Sequence, residues 1–239
     1  MYQGKLEIVK REMTRAGVEL LGISELRWVG MGHFQCEEFT VYYSGHESKK
    51  TNEVAIVCGK KTAGAMMGYN AVNDRMMSLR LQGSPMNITI VQVYAPTSGA
   101  DDDVLEDFYG ELQETIDSIP KGDIMILMGD FNAKIGERGK TRSVGGHGLG
   151  NRNDAGDRLT EFCDGNDIKI MNTWFKQPKR RLYTWTSPDG IHRNQIDYIM
   201  IKNRWASAVL ATNTLPRADC GSDHELLTAR IKMRLRQIK

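Results

Sequence analysis

No apolar stretch in this sequence is long enough to span a bilayer, which excludes a membrane-spanning helix as an organising element. Cysteine is scarce. Cys36, Cys58, Cys163 and Cys220 lie far apart, without the close pairs of a zinc site, and their scatter fits reduced thiols. Neither sign of charge dominates: 32 Lys and Arg stand against 30 Asp and Glu, for a net charge of +2. That balance does not announce a nucleic-acid binder. Internal repeats, low-complexity tracts and an inter-domain linker are also lacking, so residues 1–239 are expected to form a single domain. From Met1 the chain enters an amphipathic pattern at once, without the apolar core of a secretory signal. A nuclear or cytoplasmic protein is expected.

What is present is a series of short apolar runs between Gly and Asn clusters. Leu6, Val9, Met13 and Ala16 follow helical spacing up to Gly17. Runs at 19–24, 39–43, 54–58, 76–81 and 88–94 read as strands. Asp101, Asp102 and Asp103 open a second helix with an apolar face of Leu105, Phe108, Leu112, Ile116 and Ile119. The continuous run 124–128 reads as a strand buried on both faces. Asp154 is expected to cap a third helix ending at Gly165. Strands follow at 168–171, 182–185, 195–201, 206–211 and 225–231. Strands dominate and helices are dispersed, a pattern suited to two packed sheets with helices outside.

Polar residues able to do chemistry fall at the ends of these strands. Asp130 and Asn132 stand two apart beyond the run 124–128, a spacing that puts both on one side of an extended segment. Asp can orient or deprotonate water, and Asn can donate to a phosphate oxygen, although both also favour simple turns. Asp197 interrupts an apolar strand and needs a partner, whether functional or a structural pair with Arg193 or Arg204. Asp223-His224 supplies an imidazole that a carboxylate such as Asp197 could orient. Glu25 ends the first strand, before Leu26-Arg27-Trp28, and suits a hard cation. Tyr94 ends another strand. Basic residues cluster at Lys176, Lys179, Arg180 and Arg181, ahead of Tyr183 and Trp185, where phosphate contact is as good a reading as a solvated loop. Arg230, Lys232, Arg234, Arg236 and Lys239 read as a solvated basic tail over 232–239.

At these residues the chain resembles the endonuclease/exonuclease/phosphatase superfamily. More closely, it resembles the apurinic-type endonuclease domain of RTE-class non-LTR retrotransposons and related craniofacial development protein 2-like sequences. The segments that carry the likeness are Ile23–Leu26, Val91–Thr97, Gly129–Ala133, Arg181–Trp185, Gln195–Ile199 and Gly221–His224. The resemblance implies an α/β protein, a four-layer α/β/β/α sandwich of two mixed sheets flanked by helices. It also implies phosphodiester cleavage with Mg²⁺, or Mn²⁺, as cofactor and DNA as partner. On that pattern Glu25 and Asp223 serve the metal, and Asp130 activates water. Asn132 and Tyr94 touch the scissile phosphate, Asp197 orients His224, and Trp185, Arg181 and Lys179 lie toward DNA. No protein partner is implied.

Two departures from the family pattern set further expectations. The strand and Asn that usually precede the first helix are expected to be missing. Asn52-Glu53 stands where relatives usually show Asn-Gly, so Glu53 either strains a close backbone approach or is tolerated. An active endonuclease is the preferred reading. A truncated or domesticated remnant that binds without cutting is the alternative. A phospholipid substrate fits less well, because the closer likeness is to the retrotransposon group.

Overall fold

The computed structural model describes residues 3–49, 51–137, 139–216, 218 and 220–237; Met1 and Lys239 lie outside the described residues. It separates into two compact units. The first comprises Met1–Ala95, Asp107–Gly129 and Met233–Lys239, and the second Pro96–Glu106 and Asp130–Lys232.

In the first unit helix α1 (Gln3–Ala16) buries Leu6, Val9 and Met13. Gly17 ends it in the left-handed region, where φ is +66° and a residue without Cβ is favoured. Strands β1 (Leu20–Ile23), β2 (Met31–Cys36), β3 (Phe39–Ser44) and β4 (Val54–Gly59) form an antiparallel sheet in the order β1-β4-β3-β2. Every residue of β4 is buried, so its sequence is continuously apolar rather than alternating. A short helix α2 (Lys60–Ala63) leads to β5 (Met66–Asn73), β6 (Met76–Leu81) and β7 (Ile88–Tyr94). These strands, with β8 (Ile124–Asp130), lie side by side in that order. β3 and β4 pack on β5, β6 and β7, which makes the core of this unit a sheet-on-sheet sandwich. Helix α3 (Asp102–Ser118) opens with Asp102 and Asp103 at its positive end and buries Phe108, Leu112 and Ile116.

The C-terminal segment is not a free tail. Arg234 O accepts from Ser84 N, Arg236 N donates to Gln82 O, and Gln237 donates to Lys61 O. The side chains of Lys232, Arg234 and Arg236 face solvent.

In the second unit helix α4 (Asp154–Gly165) precedes β9 (Ile168–Ile170), β10 (Trp185–Thr186), β11 (Arg193–Asn194), β12 (Asp197–Lys202), β13 (Val209–Leu215) and β14 (Leu226–Ile231). β9 pairs with β12, β10 with β11 and β13 with β14, all antiparallel, and β14 packs against β12. The fully buried Tyr198 ties this unit together. Its hydroxyl accepts from Ile135 N and lies 3.0 Å from Ala133 O and 2.7 Å from Gln195 O.

Several sequence expectations need correction. Asn153, not Asp154, caps α4, its side chain accepting from Gly156 N. The segment 206–211 is a 3₁₀ helix (Asn203–Ala208) running into β13, and 182–185 contributes only the start of the two-residue β10. Met171 begins a 3₁₀ turn instead of extending β9. β2 and β5 had no counterpart in the sequence reading. Among the described residues no helix is long and apolar enough to cross a membrane.

Gly129, the residue before Asp130, is the most exacting position in β8. Its φ is +145°, and a Cβ there would fall 2.0 Å from Val93 O. The obstruction is the Val93 backbone, which cannot yield cheaply. Gly129→Ala is expected to destabilise the protein by about 3 kcal/mol, combining strain and overpacking. Gly122→Ala, with open space around it, should change stability by less than about 0.5 kcal/mol. Chemical denaturation of both variants tests the contrast.

Candidate active site

Two constellations carry the sequence-predicted residues, one in each unit. In the first, Glu25 follows β1 with a φ of +56°, and Arg27 follows with +60°. Non-glycine residues rarely sit in this region, so something must hold them there. Glu53 does so. It is wholly buried, its carboxylate accepts from Arg27 N (3.0 Å) and Thr51 N (2.7 Å), and its carbonyl accepts from Leu26 N. The side chain that departs from the family's usual glycine is therefore a brace rather than a source of strain. With this brace the exposed Glu25 carboxylate receives a short hydrogen bond from the hydroxyl of Tyr94, at the end of β7. Tyr94 is itself fixed by Arg75, which donates to its carbonyl and lies 5.3 Å over its ring.

The second constellation joins Asp130, Asp197 and His224, whose ligand-type atoms all lie within 4.8 Å of one another. Asp130 closes β8 and is buried; Asp197 opens β12; His224 stands just before β14. His224 Nδ1 is 2.9 Å from Asp197 Oδ2, and His224 Nε2 is 3.9 Å from Asp130 Oδ2. Because an ionised carboxylate only accepts, Nδ1 carries the proton and Nε2 is the free nitrogen of the neutral ring. Asp197 thus pairs with His224 rather than with Arg193 or Arg204, which lie over Tyr183 and Trp205.

Backbone anchors hold this geometry. Thr184, fully buried, accepts through Oγ1 from Ile196 N and Asp197 N. Asn172 donates to Asp197 O and accepts from Ile199 N. Sequence reading passed over Asn172 and quoted Thr184 only inside a motif. A small polar residue without a charge carries no signal until its partner is known. Ser222 Oγ accepts from His224 N, Trp185 Nε1 donates to Asp223 Oδ2, and Trp185 bridges to His224.

Asn132 is not in an extended segment. Its φ is +49° and its N–H donates to Asp130 Oδ1, so the spacing is that of a tight turn. The two side chains do not owe their arrangement to strand alternation. Asp223, Lys179 and Arg181 are exposed, the two basic residues on one 3₁₀ turn (Lys179–Arg181). All four cysteines are free thiols.

Burial opposes a charge on His224, but Asp197, through its charge and its hydrogen bond, and then Asp130 and Asp223, outweigh it. The imidazole is pushed up from 6.5 to about 9. A group whose folded pKa is raised favours the folded state when protonated. Its contribution is complete below about pH 6.5 and is lost as pH rises through about 9. NMR titration in EDTA should give a His224 midpoint near 9, falling by at least about 1 unit in Asp197→Asn. An unchanged midpoint would remove Asp197 as the main support of the cation.

Comparisons with known proteins agree with this layout. Craniofacial development protein 2 from Bos taurus is 48% identical over 238 residues, as is the Tragulus javanicus protein. The matches cover 100% of this chain but only 40% and 42% of those relatives, so the chain spans about two fifths of their length. The endonuclease domain of TRAS1, a telomere-specific non-LTR retrotransposon, superimposes with a TM-score of 0.69 at 14% identity, over 97% of this chain and 94% of that domain. The catalytic domain of Xenopus laevis APE2 gives 0.70 at 16%, over 98% and 90%. At such identities the likeness establishes a common fold, of α/β class. The sequence profile of the endonuclease/exonuclease/phosphatase family matches residues 4–224, and the chain belongs to that family.

Proposed function

We propose that the chain is a divalent-metal-dependent phosphodiesterase, and specifically a DNA endonuclease of retrotransposon origin that nicks DNA by attack of an activated water. The observation that carries this reading is the His224–Asp197 hydrogen bond with Asp130 Oδ2 3.9 Å from the other ring nitrogen, Nε2. Family membership supports a nuclease or phosphatase chemistry. One structural neighbour, a Neisseria 3′ phosphatase, was solved bound to a product DNA hairpin. Fold alone does not choose the substrate.

In this reading Asp130 orients the attacking water and takes its proton. His224, held by Asp197 and readily protonated, faces the negative charge that grows on the phosphate during attack. Asn132, and Tyr94 once its hydroxyl leaves Glu25, are each proposed to donate to a phosphate oxygen. The donor chemistry fits a hard cation: Glu25 in the first unit and Asp223 in the second each present an exposed carboxylate oxygen of the kind that would ligate Mg²⁺, or Mn²⁺. When bound, the ion supplies Lewis-acid polarisation of the phosphate and stabilises the leaving oxygen. The exposed Lys179 and Arg181, with Trp185 nearby in sequence, are the proposed DNA contacts.

Purified protein is expected to convert supercoiled plasmid to the nicked form with Mg²⁺ and not with EDTA. Asp130→Asn and His224→Asn should each lower the rate by a factor of about 10² to 10⁴. Glu25→Gln should raise the Mg²⁺ concentration needed for half-maximal nicking. A wild-type preparation that nicks no better than the Asp130→Ala, His224→Ala double variant would overturn the proposal.

A further inference from the structure

Beside the Glu25 constellation, in the same unit, an open cavity of about 440 Å³ is lined by Arg27, Trp28, Val29, Phe34 and Tyr43. Its volume lies within the roughly 300–1,000 Å³ of small-ligand pockets. Its walls are an aromatic cluster. Trp28 packs 5.6 Å from Phe34 and edge-on to Tyr43 at 5.5 Å. The cluster is not sealed, since Phe34 and Val29 keep 36% and 40% of their surface exposed. Arg27 stands at this cavity with a guanidinium that makes no hydrogen bond or ion pair among the described residues. Only its backbone is used, by Glu53.

We propose that this cavity receives one unpaired nucleotide of the DNA strand, close to the phosphate at Glu25; the inference rests on the DNA-cleaving function proposed above. Aromatic faces offer stacking to any base, whatever its identity. A base inside a duplex is already stacked and cannot enter, so the occupant must be extruded, bulged or single-stranded. The free guanidinium complements the phosphate flanking that base. Reach also agrees. Glu25 and Trp28 are three residues apart, at most about 10 Å of chain, which is about three steps of a strand at ~3.4 Å each. Glu53 braces both features at once, because it fixes Leu26 and Arg27 between them. The result is a preference for sites where the duplex is already interrupted.

The test reads binding without cleavage. The wild-type chain in EDTA is titrated into a duplex carrying a single bulged 2-aminopurine, and into the same duplex fully paired. The bulged base is expected to change its fluorescence on binding, and the bulged duplex to bind at least about ten-fold tighter. Trp28→Ala and Phe34→Ala should each remove on the order of ten-fold of that preference. Arg27→Ala should flatten the salt dependence of log K by about 0.9 for one phosphate contact. Phe34 is partly exposed, so its variant keeps the test decisive if Trp28→Ala does not fold. Equal affinity for the two duplexes, an unchanged 2-aminopurine signal, or a change in self-association of Phe34→Ala instead of DNA binding would each overturn the pocket. Because no cut is read, a plasmid that is not nicked would refute the endonuclease while leaving this result interpretable.

Discussion

The second unit is organised around one constraint: His224 must present Nδ1 to Asp197 while turning Nε2 toward Asp130. Three separated stretches have to converge for this. Thr184 and Asn172 grip the backbone on either side of Asp197, and the 222–224 turn is sewn to β10 through Trp185 and Thr186. Tyr198, the residue after Asp197, locks the turn that follows Asp130 from below. A misplaced β12 would therefore disturb the acid, the imidazole and the buried carboxylate together. The raised basicity of His224 is the electrostatic counterpart of that packing: negative groups on several sides outweigh the loss of water.

How much of this could be read in advance depended on burial. β6 and β7 matched the runs read for them residue for residue, and β4 and β8 extended slightly past theirs; β4 and β7 are buried along their whole length, while Ser78 and Arg80 leave β6 partly open. β2 was illegible for the opposite reason. It is largely exposed, its residues Gly32, His33 and Gln35 carry no alternation, and only pairing with β3 makes it a strand. The 3₁₀ helix over Asn203–Ala208 holds apolar residues at a spacing that also suits a strand, so period alone could not separate them. At α4 two good capping residues stand side by side, and only the bond to Gly156 N selects Asn153.

The site was legible as chemistry and not as geometry. Asp130, Asp197 and His224 could be named from residue type and position at strand ends, and the structure brings them within one cluster. The conformation of Asn132 was not accessible, since Asp-x-Asn suits both an extended pair and a turn. Glu53 was visible only as a departure. Its function as a brace depends on two backbone amides that sequence cannot locate. Trp28 and Phe34 carried no signal in the sequence, because an aromatic pocket is defined by what fails to cover it.

If Asp197 acts through His224, the two residues form one catalytic unit. The most direct measurement is a double-mutant cycle on nicking rate with His224→Asn, Asp197→Asn and the double variant. The account predicts that the double variant is no slower than His224→Asn by more than about three-fold, since removing the imidazole leaves Asp197 nothing to orient. Rate losses that multiply, so that the double variant falls by the product of the two single effects, would contradict it.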